Sequence, residues 1–388
     1  MVGSEYEGDV ADFGVYVHIP FCSVRCDYCA FATWTEREHL IDDYLAALRV
    51  DVQHQVAAGM LPATSVFVGG GTPSLVPPEK LGAVIRSIPT VPGAEVTVEC
   101  NPDDVDDHLV AALVDSGVNR ISLGVQSTQG HVLESLGRHH HPEHVARAVE
   151  AIRSGGVSSF NVDLIYGAVG ESVDDWTQTM LEVIAAAPHH VAAYGLMVEP
   201  GTPLAAEPDR HPDDDDQADK YLVAERLLAA AGLVNYEISN WARPGHESTH
   251  NRLYWAQGDY AGIGCAAHSH EAGRRWWNVR TPERYIQCVS AGVSTEAAGE
   301  TLDERTRRAE GLQLALRTRD GVARDAFDDG TLADLETFLV PHPDDAARVV
   351  LTVEGRLLAN ELSTRLIDAE DDEPGVSVAL GAGNVRRR

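Results

Sequence analysis

The stretch YVHIPFCSVRCDYC, residues 16–29, joins an apolar, strand-like run to three closely spaced cysteines. These form a C-x-x-x-C-x-x-C array: Cys22, Cys26 and Cys29. Three thiolates leave a tetrahedral metal centre one ligand short. They can instead hold three irons of a 4Fe–4S cluster, whose fourth iron stays open for an external ligand. The spacing favours the cluster, and a zinc site completed by His18, His39 or water remains the alternative.

Short apolar runs alternate with amphipathic stretches six times between residue 15 and about residue 235. The strand candidates are VYVHIP (15–20), SVFVGG (65–70), EVTVEC (95–100), RISLGVQS (120–127), SFNVDLIYG (159–167) and HVAAYGLMV (190–198). This repetition predicts an α/β fold with a parallel sheet, and near-continuous apolar strands are typical of a sheet covered on both faces. A partly closed barrel and an open, doubly wound sheet are both compatible with it. In either, the carboxyl ends of the strands face the functional site.

After about residue 236 the pattern loses its period and becomes rich in glycine, histidine and aromatic residues. Helical stretches follow near residues 281–290, 303–318 and 331–339. We therefore expect a first domain over residues 12–236 and a second over residues 237–388. The second should be smaller and mainly helical, of winged-helix type, with a frayed tail at residues 375–388.

The chain is strongly acidic, with a formal net charge of −30, and contains only two lysines, Lys80 and Lys220. Non-specific nucleic-acid binding requires a basic surface, so this function is excluded. The sequence has no apolar run of membrane-spanning length, and its first residues do not resemble a signal peptide. A cytoplasmic protein is expected. Three scattered cysteines are predicted to be buried, small apolar residues: Cys100, Cys265 and Cys288.

Polar residues follow the ends of several predicted strands, where a parallel α/β fold places its ligand contacts. GGGTPS, residues 69–74, follows the second strand and allows close backbone approach to an anion or carboxylate, although a tight turn uses glycine too. The other candidates lie at or after the next three strands: Glu99, Gln126, Arg138 and Asp163. For each of them ordinary loop hydrogen bonding is the alternative.

The segment HNRLYW, residues 250–255, is a further candidate site. A neutral histidine can ligate haem iron, and tyrosine and tryptophan can pack on a flat macrocycle. A lone histidine beside aromatic residues is more often a hydrogen-bonded structural residue. The residues alone leave both interpretations of His250 open.

The cysteine stretch resembles the signature of radical S-adenosylmethionine (radical SAM) proteins, and more narrowly the branch of oxygen-independent coproporphyrinogen III oxidase (HemN) and the haem chaperone HemW. GGGTPS, E-x-N-P, GVQS and DLIYG follow it in the order typical of that branch. The resemblance extends from Val15 to about residue 365. It implies a partial parallel (β/α)6 barrel followed by a smaller, mainly helical C-terminal domain of HemN type.

In that superfamily the open iron binds the amino and carboxylate groups of S-adenosylmethionine (SAM), which the reduced cluster cleaves to a 5′-deoxyadenosyl radical. The resemblance places five residues against this SAM: Tyr16, Gly70, Gly71, Thr72 and Glu99. In the oxidase a second SAM lies near four further positions: Tyr28, Gln126, Arg138 and Asp163.

Two departures from the oxidase favour the chaperone. The oxidase has a fourth cysteine two residues after the third, where this chain has Phe31, and it carries an N-terminal extension before the motif. The chaperone branch carries H-N-x-x-Y-W, matched here by His250, Asn251, Tyr254 and Trp255. The resemblance thus implies haem as a third cofactor and haem-accepting respiratory proteins as partners, with peripheral membrane association through them. The alternative is the oxidase activity, which Phe31 disfavours. A local departure at Ala168 and Val169, where the family commonly has Leu-Pro, is expected to alter the loop after the fifth strand.

Overall fold

The computed structural model describes residues 12–138, 140–327 and 329–370. Its contacts divide the chain into two compact units, residues 1–304 and residues 305–388. Within the described ranges, no helix is long and apolar enough to cross a bilayer.

The first unit is built on six parallel strands: β1 (Phe13–Ile19), β2 (Ala63–Gly70), β3 (Thr90–Cys100), β4 (Arg120–Gln126), β5 (Ser159–Tyr166) and β6 (His190–Gly195). The connecting helices are α1 (Ile41–Ala57), α2 (Pro78–Ile85), α3 (Asp107–Val114), α4 (Gly130–Ser135), α5 (Pro142–Ser154) and α6 (Val173–Ala185), and α7 (Asp214–Ala230) follows β6. Neighbours in the sequence are neighbours in this part of the sheet. The predicted parallel α/β fold with six strand–helix repeats is confirmed.

The segment after α7 adds six strands to the same sheet and two helices. These are β7 (Val234–Glu237), β8 (Asn240–Ala242), α8 (Thr249–Trp255), β9 (Asp259–Ile263), β10 (His268–Glu271), β11 (Arg274–Asn278), α9 (Pro282–Ser290) and β12 (Glu296–Thr301). The sheet order is β12-β11-β10-β9-β1-β2-β3-β4-β5-β6-β8-β7. The boundary expected at residues 236 and 237 falls inside the first unit, because β9 pairs in parallel with β1.

These six strands were not predicted from the sequence. They are only three to six residues long, and several of their connections turn through residues with positive φ, including Gln257, Gly264 and Ala272. So short a strand shows too few alternations to establish a period of two. Pairing with the long central strands, rather than local pattern, fixes them in the sheet.

The strand register stacks interior side chains in layers. Glu99 pairs with Ser122, Ser122 with Asn161, and Asn161 with His190. One layer further toward the carboxyl ends, Gly124 pairs with Asp163. Because alternate residues of a strand share a face, each layer presents its side chains to the same interior space. Polar groups from distant parts of the chain are thereby brought together.

The second unit combines helices with a small antiparallel sheet. Its elements are α10 (Glu304–Leu316), β13 (Val322–Ala323), α11 (Asp329–Asp334), β14 (Leu339–Pro341), β15 (Arg348–Leu351), α12 (Val353–Leu357) and α13 (Ala359–Glu370). The sheet order is β13-β15-β14. Most of its elements are helices, as predicted, and the winged-helix type expected for it stays a prediction. The tail at residues 375–388 lies outside the described residues.

Candidate functional site

A cavity of about 620 Å³ opens at the carboxyl ends of the parallel strands. Its lining brings together most of the predicted site residues: Cys22, Cys26, Tyr28, Cys29, Gly70, Gly71, Thr72, Glu99, Gln126, Arg138 and Asp163. Most come from the end of a strand or from the loop that follows it, since parallel strands place these loops on one edge. Asp163 lies within β5, and Arg138 follows α4. The expectation that the candidate polar groups converge on one rim agrees with this cavity.

The cysteine loop is held in place through its backbone. Cys22 donates its amide to Trp34 at 3.1 Å, and Trp34 donates to Pro20 at 2.8 Å, so both ends of the loop are tied to each other. His18 on β1 adds a bond from its Nε2 to the Ala32 carbonyl at 2.9 Å. All three thiols are free and half-buried. Burial raises the pKa of the Cys22 and Cys29 thiols, so metal binding there must displace protons.

The donor set fits an iron–sulfur cluster. Each of the three thiols lines the same cavity, and a 4Fe–4S cluster asks each thiolate to reach a different iron. A mononuclear zinc site instead asks several ligands to meet at one point. Among the described residues, no group of three His, Cys, Asp or Glu side chains is arranged to hold a single ion. The imidazole of His18, considered as a zinc ligand, bonds to Ala32 and to the Tyr16 hydroxyl instead.

The glycine loop packs directly against the end of β1. Gly71 donates to the Ile19 carbonyl at 2.7 Å, and a Cβ added at Gly71 would lie 2.5 Å from the Phe21 carbonyl oxygen. Gly70 has φ +110°, a conformation that side chains disfavour. The three-glycine run is therefore required by close backbone packing as well as by access to the cavity.

Glu99 lies at the end of β3 and accepts a hydrogen bond from the Gly70 amide at 3.1 Å. Burial, with a smaller contribution from the charge of Asp163, raises the pKa of Glu99 to about 8. Near neutral pH this carboxyl is mostly protonated, and a cationic or hydrogen-bond-donating ligand would favour its ionised form. Such a strongly shifted group in a cavity is typical of a ligand contact.

Asp163 is the first member of a buried chain of polar side chains. It accepts bonds from Ser122 Oγ at 2.7 Å and Asn161 Nδ2 at 2.8 Å. The chain continues from Asn161 Oδ1 to His190 Nδ1 at 2.6 Å and from His190 Nε2 to the Tyr236 hydroxyl at 2.8 Å. Burial raises the pKa of Asp163 despite these bonds. Four members of this chain were not predicted from the sequence: Ser122, Asn161, His190 and Tyr236. Polar side chains two positions apart in apolar strands were a usable signal.

Arg138 extends its guanidinium across the cavity wall. Its Nη2 donates to the Gly124 carbonyl at 2.7 Å and to Asn101 Oδ1 at 3.1 Å, and its Nη1 lies 3.5 Å from Cys26 Sγ. Its buried Nε has no hydrogen-bond partner within the described part of the chain. Arg138 thus places a positive charge beside one of the three cysteines. Neighbouring Gln126 is held at φ +64°, a strained conformation of the kind found at ligand sites.

Large apolar side chains are exposed at the cavity, among them Val24, Phe31 and Met197. Phe31 occupies the position at which the oxidase pattern has its fourth cysteine, and it is 63% exposed. This part of the lining is thus apolar, where the oxidase pattern would put a thiol.

Tyr16, predicted to contact SAM, is not among the described residues that line the cavity. Its hydroxyl lies 3.0 Å from His18 Nδ1, and its ring stacks on Phe67. The register of β1 explains this position, since Tyr16 pairs with Phe67 several residues before the carboxyl end of β2. Its predicted contact with SAM stays untested.

The H-N-x-x-Y-W residues lie on α8, outside the cavity lining described above. His250 is 1% exposed, with Nδ1 at 2.9 Å from Ser65 Oγ and Nε2 at 2.8 Å from the Tyr254 hydroxyl. Asn251 bonds to the Tyr236 hydroxyl, and Trp255 is half-buried. In this arrangement His250 is a hydrogen-bonded interior residue. The role of the four residues as haem contacts stays a prediction.

Comparisons with known proteins connect this site to a family. The sequence profile of the radical SAM superfamily matches residues 16–183. The chain is 38% identical over 376 residues to the heme chaperone HemW of Mycobacterium tuberculosis (strain ATCC 25618 / H37Rv), covering 92% of this chain and 95% of that protein. It is 32% identical over 369 residues to the heme chaperone HemW of Bacillus subtilis (strain 168), covering 89% and 97%.

Among solved structures, the chain is similar to coproporphyrinogen III oxidase (HemN) from Escherichia coli, a radical SAM enzyme. The TM-score is 0.79 at 21% identity, and the match covers 93% of this chain and 91% of that structure. At this identity the likeness establishes the fold, whereas the relatives above share sequence over nearly their whole length. The chain therefore belongs to the radical SAM superfamily and, within it, to the HemW family.

Proposed function

We propose that this protein is a cytoplasmic haem chaperone that holds a 4Fe–4S cluster, binds SAM and haem, and delivers haem to respiratory proteins, reaching the membrane through those partners. The observation that carries the proposal is the set of three free thiols on one cavity, in a chain that aligns over nearly its full length with HemW proteins. The exposed Phe31, in place of a fourth cysteine, supports the chaperone over the oxidase.

Cys22, Cys26 and Cys29 would hold the cluster, and the cluster and SAM together would supply one-electron chemistry when bound. The surrounding residues would bind and orient. Arg138 lies beside Cys26, with its Nη1 3.5 Å from the Cys26 Sγ, and the backbone bonds of the loop keep the thiols in place. The proposed holding of the cluster involves neither the second unit nor strands β7 to β12.

Glu99 would receive a positively charged or N–H-bearing part of SAM. The Gly70 amide, which already donates to Glu99, helps to hold the carboxylate in position, while Gly71 lets the glycine loop pack against the backbone of Ile19 and Phe21. Asp163 is held by Ser122 and Asn161 one layer away. A second SAM at Gln126, Arg138 and Asp163 is part of the resemblance to the oxidase, and the proposal does not depend on it.

Two assays on anaerobically reconstituted protein test the function. Ferric haem is titrated into wild type and His250→Ala while the Soret band is recorded, and coproporphyrinogen III consumption is followed with SAM and a reductant. A chaperone binds haem, loses affinity in His250→Ala, and leaves coproporphyrinogen III unchanged. If the protein consumes coproporphyrinogen III and His250→Ala binds haem as wild type does, the proposal is wrong. The protein is then a coproporphyrinogen III oxidase, whose fold this chain shares.

A further inference from the structure

Haem ligation by His250 conflicts with the position of that residue. An iron ligand must offer a ring nitrogen with a free lone pair at an accessible place. Both nitrogens of His250 are within hydrogen-bond distance of a hydroxyl, from Ser65 and from Tyr254, and the side chain is 1% exposed. A haem cannot reach the imidazole while α8 is in this position.

The interior of the barrel holds the first turn of α8 through two neighbouring strands. Ser65 on β2 and Glu95 on β3 are register partners, so their side chains form one layer near the amino ends of the strands. The Glu95 carboxylate accepts bonds from the Thr249 amide at 3.1 Å and the His250 amide at 3.2 Å. These are helix-terminal amides that have no partner within the helix. A carboxylate there also favours the helix electrostatically.

Side-chain packing adds to the same contact. Leu253 is buried, and a Cβ added at Gly14 on β1 would lie 2.7 Å from its Cδ2, so α8 sits directly on the strand backbone. The Phe67 ring stacks on His250 with 5.5 Å between ring centroids. The docked position is therefore built by specific neighbours.

The element is also small enough to move as a unit. α8 has seven residues, too few to be stable without tertiary contacts. The loop before it contains Pro244 and Gly245, the latter at φ +84°, and Gln257 after it has φ +52°. Backbone torsions at such positions can absorb the displacement of a short helix.

We propose that Ser65 and Glu95 control the haem affinity of this protein by holding α8 in a docked, haem-excluding position, which α8 must leave before His250 can bind iron. The inference rests on the proposed haem contact at His250. Apparent affinity then equals the intrinsic affinity multiplied by the fraction of molecules with α8 displaced. Weakening the docking contacts must tighten haem binding, whereas loss of His250 must weaken it.

The test compares Ser65→Ala, Glu95→Gln and His250→Ala with wild type in the full-length, reconstituted protein. Thr97→Val is the matched control, because Thr97 is fully buried on β3 and its hydroxyl has no hydrogen-bond partner among the described residues. Ferric haem is titrated by the Soret band. Independently, the rate at which diethyl pyrocarbonate modifies His250 without haem is measured by peptide mass spectrometry.

Removing one buried hydrogen bond should raise the displaced fraction about fivefold, so haem affinity and the His250 modification rate should rise together by about that factor in Ser65→Ala. Glu95→Gln should act in the same direction, and Thr97→Val should match wild type. If Ser65→Ala does not fold, Glu95→Gln decides, since its side chain is only half-buried.

Unchanged or weaker haem binding in both docking variants, while His250→Ala loses haem, would overturn the inference and leave the proposed haem contact standing. Equal haem binding by His250→Ala and wild type would overturn both. In that case the modification rates would still show whether Ser65 and Glu95 hold α8.

Discussion

Lys220, one of the two lysines of the chain, offers the sharpest test of how the site is supported. Its side chain on α7 is 0% exposed, and its ammonium donates to the Glu171 carbonyl at 2.7 Å and to Asp216 Oδ2 at 2.6 Å. Glu171 Oε2 lies 3.2 Å away and also accepts from the Gly167 amide at 2.7 Å. These bonds fix the loop after β5, the strand that carries Asp163 into the cavity.

Lys220→Met removes the cation and leaves the Glu171 carboxylate buried, and its Oε1 already lacks a hydrogen-bond partner in the residues that the structure describes. Breaking a buried ion pair from one side costs about 3–5 kcal/mol. For a unit of roughly 300 residues this lowers the unfolding midpoint by about 5–8 °C. Burial already raises the pKa of Glu171, and loss of Lys220 raises it further. The loss of unfolding free energy caused by Lys220→Met should therefore be smaller at acid pH, where Glu171 is protonated in the folded and the unfolded protein. It should grow as the pH rises.

The measurement is urea and thermal unfolding followed by circular dichroism at pH 5 and pH 8. Lys80→Met is the matched control, since Lys80 forms an ion pair with Asp42 at the surface and should matter by less than about 1 kcal/mol. Lys220→Met with Glu171→Gln should recover part of the loss, because the buried charge is gone. If Lys220→Met is no more destabilising than Lys80→Met, the buried ion pair does not support the site. The same holds if Lys220→Met with Glu171→Gln is less stable than Lys220→Met alone.

Three further outcomes follow from the site. Iron–sulfur absorbance after anaerobic reconstitution should disappear when Cys22, Cys26 or Cys29 is replaced by alanine. It should persist in the control Cys288→Ala, since Cys288 is buried and does not line the cavity. Because Glu99 has its folded-state pKa raised to about 8, its contribution to stability is present at low pH and is lost as the pH rises through about 8. Between pH 5 and pH 8, the free energy of unfolding should fall further in cluster-free wild type than in Glu99→Gln, as measured by urea denaturation. An equal fall in both proteins would contradict the raised pKa of Glu99. His18→Phe leaves the Ala32 carbonyl unpaired and should speed iron loss to a chelator, at a cost of about 1–3 kcal/mol in stability; retention of iron at the wild-type rate would count against a positioning role.

Much of the site was predictable because the sequence patterns that indicate it are local. Cys22, Cys26 and Cys29 lie within one turn-rich loop, so spacing alone brings them near one another. Glu99 and Asp163 are separated by more than sixty residues, but Glu99 lies near the end of one apolar strand and Asp163 lies in the second half of another. The rule for parallel sheets places such residues toward one edge. Both types of signal are local patterns, or a repetition of local patterns.

Other features depend on contacts that no local pattern contains. The strands β9 to β12 are too short to show a period, and they exist because β9 pairs with β1. Tyr16 belongs to the signature stretch, and the register of β1 against β2 places its ring against Phe67, a contact that the signature itself does not show. His250 belongs to a haem-type motif, yet Ser65, nearly two hundred residues earlier, binds its imidazole.

The sequence by itself determined the parallel strand–helix repeat, the three thiols and the edge of the sheet that carries the site, because apolar periodicity and ligand spacing are properties of neighbouring residues. Only the tertiary structure decided which side chains share an interior layer, which carboxyls are desolvated enough to shift their pKa, and whether His250 is accessible. Register, burial and hydrogen-bond partnership arise from pairs of residues far apart in the chain, and they are settled when the strands pair.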